Sequence, residues 1–371
     1  MLHQVQSASR LNAEVGIESE FDFLSDEYRE FYRPGRATAF QAPLWMDMVH
    51  RRLARGLNAG QRTLTVRASD GRLLALAPFV RQQMKGITIL APADFGVCDY
   101  NSLVGDRDTL AAIAGQPALV EAINREVRRN CDVLMFRKVR VDDFDVGRLF
   151  PGSKNSVAEN AAYHSAIGDD FDEWRRRTIR RKFSKELGRL QRQAEREFGS
   201  YEHRPARDEA EIRQAFGMLA EWRGGRFAGD LLQNPLYFDF YRDYAIAGLT
   251  SGDAITYVSY AAEQPAAMLF GPSGDGEFHA VIIGADTENF ARQSPGIQLI
   301  YQTIKQRFQE GYRKFDMGLG NTGYKSHFRV LETPLLNHTK SFTFAGSAVA
   351  MIYHRAKPVK NFLRNYVPHV R

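Results

Sequence analysis

Ser294-Pro295-Gly296-Ile297 opens a stretch that runs to Gly311 and is followed by Phe315-Asp316-Met317-Gly318-Leu319-Gly320 and Gly323-Tyr324-Lys325-Ser326-His327-Phe328. This stretch decides the expected fold, because it predicts a helix, a tight turn, a short strand and a glycine-rich loop. Apolar residues recur at helical spacing after the Ser-Pro-Gly and predict one buried face: Ile297, Ile300, Tyr301, Ile304 and Phe308. Gly311 can end the helix as its C′ residue.

The start of this helix predicts an anion site. Pro295 suits the first helical position, because its missing N–H would be unpaired there anyway. Ser294 is a favourable N-cap residue, and Gly296 lets a ligand approach the backbone. Free amides at a helix start attract phosphate groups. An ordinary helix start packed against a sheet is the alternative.

The loop after the strand carries side chains suited to proton transfer and charge neutralisation. Tyr324 and His327 can donate or accept protons, and Lys325 can neutralise developing negative charge. Flexible glycines surround these side chains, and the polar loop predicts substrate contacts at Gly318, Gly320, Asn321 and His327. A polar surface loop without chemistry is the alternative.

The order of these motifs resembles a known superfamily. Ser-Pro-Gly, a helix, Gly-Tyr-x-x-Phe-Asp-x-Gly and Gly-Tyr-Lys are similar to the GNAT acyltransferases of the CelD-like, polysaccharide-biosynthesis type, relatives of the Fem aminoacyltransferases. The resemblance covers residues 40–340. It implies direct transfer of an acyl group from acyl-CoA, such as acetyl-CoA, to an amine or hydroxyl of a sugar-containing acceptor.

The resemblance also implies residue roles. Tyr324 would protonate the departing thiolate, Lys325 would stabilise the oxyanion, and Asp316 and Glu288 complete the predicted catalytic group. The donor pyrophosphate would lie at Arg292, Gln293, Ser294, Pro295 and Gly296, although this segment lacks the second glycine of the usual GNAT loop. Acceptor contacts are expected at Asp99 and Tyr100, and at Trp222 and Arg223 in a glycine-containing helix end. No metal site is expected.

The chain is expected to be a duplicated α+β protein. The order helix, hairpin, strand, helix, strand occurs twice among the predicted elements, which indicates a tandem GNAT-like fold with mixed central sheets flanked by helices. The expected divisions are an N-terminal half (1–165), a basic connecting helix (166–200), a C-terminal half with the donor site (201–345) and a basic tail (346–371). Two unrelated α/β domains are the alternative.

Composition and charge narrow the class of protein. The 371 residues include two cysteines, Cys98 and Cys131, which form neither a disulfide framework nor a metal-like spacing. No apolar stretch has the length of a signal peptide core or a spanning helix, so a cytoplasmic protein is expected, with a peripheral position at the inner membrane face as a further option.

The net charge of +6 is concentrated in two segments. Residues 175–196 hold ten Lys or Arg against two Glu, and no acidic residue follows Glu332. The first segment could face a nucleotide sugar, a lipid-linked phosphate, a tRNA acceptor stem or a membrane, and the second could dock on an anionic membrane surface. Solvated or packed helices are the alternatives for both.

Three functional hypotheses follow. The first is an acyl-CoA-dependent acyltransferase in exopolysaccharide or cell-envelope biosynthesis. The second is a Fem-like transferase that uses aminoacyl-tRNA, in which case the basic segment would bind RNA phosphate. The third is a non-catalytic GNAT-fold scaffold in polysaccharide assembly.

Overall fold

The chain forms two mixed β-sheets covered by helices, and each sheet belongs to its own compact unit. The structure is a computed structural model that describes residues 11–32, 37–224, 230–274, 276–320 and 323–355. The first unit contains the described residues up to Ala158 and those from Leu335 onward, and the second contains Glu159–Pro334. The expected α+β class with mixed sheets is confirmed.

Within residues 11–32 and 37–158, the structure has six strands and four helices. A π-helical turn, Val49–Ala54, continues the second helix. In chain order the elements are β1 (Ala13–Glu18), α1 (Asp26–Phe31), α2 (Pro43–Met48), β2 (Gly60–Ala68), β3 (Leu73–Met84), β4 (Ile87–Pro92), α3 (Arg107–Ala114), α4 (Pro117–Asn130), β5 (Val133–Arg140) and β6 (Lys154–Val157).

The second unit follows with eight strands and five helices among its described residues. They are β7 (Ala162–Ala166), α5 (Phe171–Thr178), α6 (Arg181–Phe198), β8 (Tyr201–Pro205), α7 (Glu209–Arg223), α8 (Pro235–Ala247), β9 (Ala254–Ala261), β10 (Gln264–Gly274), β11 (Glu277–His279), β12 (Ile282–Ala285), α9 (Pro295–Gln309), β13 (Lys314–Leu319) and β14 (Leu331–Thr333). The candidate loop forms a 3₁₀ turn, Gly323–Phe328, between β13 and β14.

The chain then returns to the first unit through β15 (Leu335–Ser341) and α10 (Phe344–Arg355). The first sheet has the order β1-β2-β3-β4-β5-β15-β6, and only its β4–β5 pair is parallel. The sequence assigned residues 335–345 to the second half, whereas β15 pairs with β5 and β6 of the first sheet. Strand pairing, which the sequence does not display, sets this boundary.

The second sheet has the order β14-β7-β13-β11-β10-β9-β8, with β12 paired to β10 beside this path. Its β11–β13 pair is parallel. The predicted apolar face of α9 packs on this sheet, where Ile300 and Ile304 join Phe278 and Phe315 in one buried cluster. Leu299, which the predicted face did not include, is buried in the same cluster. No helix among the described residues is long and apolar enough to cross a membrane.

The basic connecting segment is two helices rather than the single helix that its spacing predicts. Ile179 is buried and extended between α5 and α6, because its side chain joins the core of the second unit. Asp170 caps α5 by accepting hydrogen bonds from the amides of Asp172 and Glu173. The break lies among several cations, including Arg177, Arg180 and Arg181.

Candidate functional site

A fork in the second sheet is the central feature of the site. β11 and β13 pair in parallel from Glu277 with Lys314 to His279 with Asp316, and the Ala280 amide adds a bond of 2.9 Å to the Asp316 carbonyl. After this point β12 pairs with β10 while β13 pairs with β7. The two strands therefore diverge and open a wedge between β12 and β13.

The edge of β12 in the wedge carries backbone groups that point away from β10. The Asp286 amide donates to the Ala266 carbonyl of β10. In an antiparallel pair, successive residues point their backbone N–H and C=O groups alternately toward and away from the neighbouring strand. The backbone groups of Ile283 and Ala285 therefore point away from β10. The Ile283 carbonyl accepts a bond of 2.9 Å from Arg223 Nη1 on that edge. The strand can therefore offer hydrogen bonds to an extended ligand.

Helix α9 begins next to this edge. Pro295 occupies its first position, as expected, and a Cβ at Gly296 would lie 3.4 Å from the Ala285 Cβ. Ser294 adopts the left-handed conformation with φ of 48°, and its side chain makes none of the predicted capping bonds. The amides of Gly296 and Ile297 lie in the first turn, where a helix supplies no acceptors. Their N–H groups are therefore available to an anion.

The two residues before Ser294 have different environments. Arg292 is exposed. Gln293 is buried and donates to Glu197 Oε2 at 2.7 Å, while its carbonyl accepts from Gln298 Nε2 at 2.6 Å. Gln293 therefore fixes the turn that leads into α9, and Arg292 is the member of this pair that can reach a ligand.

Lys325 lies beneath the loop and is only 1 % exposed. Its ammonium donates to the carbonyls of Gly318, Leu319 and Gly320 at 3.0, 2.9 and 2.7 Å. It also lies 5.0 Å from the centre of the Tyr163 ring. From the sequence we expected this charge to stabilise an oxyanion. In the structure the ammonium instead binds three backbone carbonyl groups at the end of β13.

Asp316 marks the apex of the fork and is fully buried. Its Oδ1 accepts from the Gly318 amide at 2.6 Å, which shapes the turn where Gly318 takes a positive φ of 72°. Its Oδ2 lies 3.7 Å from His279 Nδ1. The sequence did not assign His279 to the site, and only the strand register brings the two side chains together.

The remaining loop residues divide between the core and solvent. Tyr324 is half-buried against the core of the second unit, and His327 is exposed with its ring stacked on Phe183 at 4.3 Å. Gly320 has a positive φ of 76°. Asn321 lies outside the described residues.

Arg223 and Trp222 flank the wedge from α7. Arg223 Nε donates to Asp230 Oδ2 at 2.6 Å and so anchors the Ile283 contact. Trp222 is buried and lies near Gly284, where a Cβ would be 3.6 Å from its ring. Its indole Nε1 has no hydrogen-bond partner among the described residues.

Three other predicted residues are not part of the fork itself. Glu288 is exposed in the loop between β12 and α9, and its amide donates to Asp286 Oδ1 at 3.0 Å. Asp99 and Tyr100 belong to the first unit. The Tyr100 ring is fully buried and packs edge-on against Phe40, so it is a core residue there.

Two strands of the first unit, β4 and β5, also diverge, and other residues of the same unit fill the space beyond their last pair. β4 and β5 pair only at Ile89–Val133 and Leu90–Leu134. Beyond this pair Lys138 Nζ donates to Asp94 Oδ1 at 2.9 Å and to the Cys98 carbonyl, while the Asn101 amide donates to the Lys138 carbonyl. Burial raises the pKa of Asp94, but the charges of Lys138 and Arg137 outweigh it and lower the pKa overall.

A basic surface adjoins the loop of the second unit, and we define it by its exposed cations: Arg176, Arg177, Arg180, Arg181, Lys182 and Lys185. None of them forms an ion pair with a carboxylate of the described residues, whereas exposed arginines such as Arg125 and Arg213 pair along their helices. Arg329 Nη1 donates to the Arg177 carbonyl at 3.0 Å and ties this surface to the loop. The described residues contain no cluster suited to a metal ion.

Comparison with known proteins identifies the domain that contains the fork. Residues 181–326 match the family described as the acetyltransferase (GNAT) domain. This range lies within the second unit and includes the fork, α9 and Lys325, so these are the parts of the chain that resemble a GNAT domain. No protein with a curated description matches the chain.

Solved structures share the fold over most of the chain. FemX has a TM-score of 0.64 at 12 % identity, over 91 % of this chain and 99 % of its own. L-PGS from Bacillus licheniformis has a TM-score of 0.55 at 14 % identity, over 96 % and 100 %. A conserved protein of unknown function from Bacteroides thetaiotaomicron has a TM-score of 0.56 at 12 % identity, over 88 % and 99 %. The predicted tandem GNAT-like fold is confirmed.

Proposed function

We propose that the protein transfers an acyl group from acyl-CoA to an amine or hydroxyl of a sugar-containing acceptor, in exopolysaccharide or cell-envelope biosynthesis. The observation that carries the proposal is the fork, which sets the free edge of β12 beside the start of α9. An acyl-CoA donor needs both features, because its pantetheine is an extended amide chain and its pyrophosphate is an anion.

The donor would run from the helix start into the wedge. The Gly296 and Ile297 amides would bind the pyrophosphate, with Arg292 as an exposed counter-charge. The pantetheine amides would pair with the Ile283 amide and the backbone groups of Ala285 as an added strand does. The Ile283 carbonyl would keep its bond to Arg223. This arrangement brings the thioester toward the apex of the fork at Asp316.

The proposed reaction is a direct acyl transfer without a covalent enzyme intermediate. The acceptor nitrogen or oxygen attacks the thioester carbonyl carbon, the carbon–sulfur bond breaks, and coenzyme A leaves as a thiolate. Glu288 accepts the acceptor proton, and the Tyr324 hydroxyl protonates the thiolate. Lys325 and Asp316 hold the loop that presents Tyr324, so they position the site.

The basic surface supports an acceptor that carries phosphate, such as a nucleotide sugar. Its exposed cations form no close ion pair with a carboxylate of the described residues, so their charge is available to a ligand. The His327–Phe183 stack and the Arg329–Arg177 bond join this surface to the loop that holds Tyr324. An acceptor phosphate held here would leave the sugar near the wedge.

A thiol-release assay with acetyl-CoA and a panel of nucleotide-linked amino sugars tests this function. Replacing both Arg180 and Arg181 by alanine should raise the acceptor KM at least roughly tenfold with little change in kcat, because a hydrogen bond to a charged group contributes about 1.5–3 kcal/mol. Arg213→Ala, on α7, is the matched control and should behave like wild type.

Two results would contradict the proposal. The first is an absence of thiol release with every nucleotide sugar in the panel. The second is an unchanged acceptor KM in the double variant. Salt-sensitive binding of aminoacyl-tRNA, with no turnover of acyl-CoA, would instead support transfer from tRNA.

A further inference from the structure

Helix α10 has an inner face that packs on the first sheet. Val349, Ala350 and Tyr353 are buried and form one cluster with Val133 and Met135 of β5. This packing fixes the helix against the sheet and determines which of its residues face outward.

The outer face of α10 is also apolar. Phe344, Met351 and Ile352 are 93 %, 53 % and 41 % exposed, and they are three of the six large hydrophobic residues exposed among the described residues. The sequence contains no charged residue from Phe344 to Tyr353. A helix that is apolar all round is expected to be covered on both faces.

Charge indicates what covers this face. Arg355, Lys357, Lys360 and Arg364 follow in the sequence, and no acidic residue occurs after Glu332. Asp132, at the start of α10, already accepts hydrogen bonds from the Thr88 amide and the Thr343 hydroxyl. An apolar helix face followed in the sequence by cations fits a lipid surface with anionic headgroups, where the hydrophobic residues enter the boundary and the cations meet phosphate.

We propose that the outer face of α10, formed by Phe344, Met351 and Ile352, docks the protein on an anionic membrane surface. The apolar side chains insert at the level of the headgroups, and the cations after α10 select anionic lipid. The helix lies in the plane of the membrane and does not cross it. This inference is independent of the acyl transfer proposed above, because it uses only residues of the first unit and the sequence after it.

Cosedimentation of the full chain with lipid vesicles tests this docking. Two compositions are compared, phosphatidylcholine alone and phosphatidylcholine mixed with phosphatidylglycerol. The test variant carries Phe344→Gln, Met351→Gln and Ile352→Gln together. The matched control is Val157→Gln, because Val157 is 67 % exposed on β6 of the same unit. Circular dichroism and thermal unfolding check that each variant is folded. Substitutions at these exposed positions should not disturb the fold.

Wild type and Val157→Gln should bind the vesicles that contain phosphatidylglycerol, and the triple variant should bind at least about tenfold more weakly. Thiol release without vesicles should be equal in all three proteins. Wild-type affinity in the triple variant, equal binding to both vesicle types, or no binding by wild type would overturn the proposal. A dimer that dissociates in the triple variant, without vesicle binding, would instead assign this face to a second copy of the chain.

Discussion

Lys325 shows how burial changes the role that a residue type indicates. The sequence predicts a lysine in a polar loop, where its charge would meet a reacting group. The structure instead buries the ammonium among three backbone carbonyls at the end of β13. The side chain holds the loop together, and in the proposed reaction it would act through the loop.

Replacing Lys325 by methionine should therefore destabilise the protein as well as reduce turnover. Methionine keeps an unbranched stem but leaves the three carbonyls without their donor, at a cost of about 2–4 kcal/mol. Denaturant unfolding measures this loss. Lys305→Met, on an exposed position of α9, should change the free energy of unfolding by less than about 0.5 kcal/mol. Equal stability of Lys325→Met and wild type would show that the ammonium does not stabilise the loop.

His203 provides a second prediction at the residue scale. Burial lowers its pKa to about 4, and its ring nitrogens lie 2.7 Å from Ser259 Oγ and 3.0 Å from Gln191 Oε1. The unfolded chain, with a histidine pKa near 6.5, binds more protons than the folded chain between these values. The stability contributed by neutral His203 is therefore present at pH 7 and is lost as the pH falls from about 6.5 toward 4.

Between pH 7 and pH 5, wild type should lose about 2 kcal/mol more unfolding free energy than His203→Gln. Urea unfolding at both pH values measures this difference, and it cancels the contributions of other titrating groups, including His50, whose pKa burial also lowers to about 4. Parallel pH profiles for the two proteins would contradict a neutral buried His203.

At the scale of elements, the sequence predicts the helices and strands that carry strong local signals. Proline at the first position of α9, its apolar spacing and Gly311 after its end locate that helix correctly. The fork was not predicted, because residues 278–283 have the composition of one continuous strand. Both parts pair with β10, but only β11 also pairs with β13, and such pairing is a tertiary property.

The division of the basic segment was missed for a similar reason. Its apolar positions fit one long helix, and only the burial of Ile179 in the core extends the chain between α5 and α6. The same limit applies to the residues of the candidate site. Helix α9 and the loop after β13 were predicted from the sequence, whereas the orientation of Lys325 and the approach of His279 to Asp316 depend on packing and strand register.

Gly271 tests the geometry of the fork. A Cβ at this position of β10 would overlap the carbonyl oxygen of His279, which belongs to the backbone and cannot rotate away. Gly271→Ala should therefore cost about 3 kcal/mol or more. Gly217→Ala is the control, because a Cβ there meets nothing within 4 Å and alanine favours the interior of α7.

Thermal unfolding of the two variants should move in opposite directions, with Gly271→Ala below wild type and Gly217→Ala at or above it. If Gly271→Ala unfolds at the wild-type temperature, β10 and His279 do not approach as closely as the fork requires.

At the scale of the whole molecule, the two units repeat one architecture, but different groups lie where the strands of each sheet diverge. In the first unit Lys138, Asp94 and Asn101 connect residues 94–101 to β5 at the divergence. In the second unit the edge of β12 keeps backbone groups directed into the wedge. The chain is therefore expected to bind one acyl donor, in its second unit.

Calorimetric titration of the full chain with acetyl-CoA tests this central claim most directly, with Gly296→Trp and Gly296→Ala beside wild type. A Cβ at Gly296 fits beside Ala285, whereas an indole would project into the donor path between α9 and β12. The account predicts one site per chain, retained in Gly296→Ala and lost in Gly296→Trp. Two sites per chain, or unchanged affinity in a folded Gly296→Trp variant, would contradict donor binding at the start of α9.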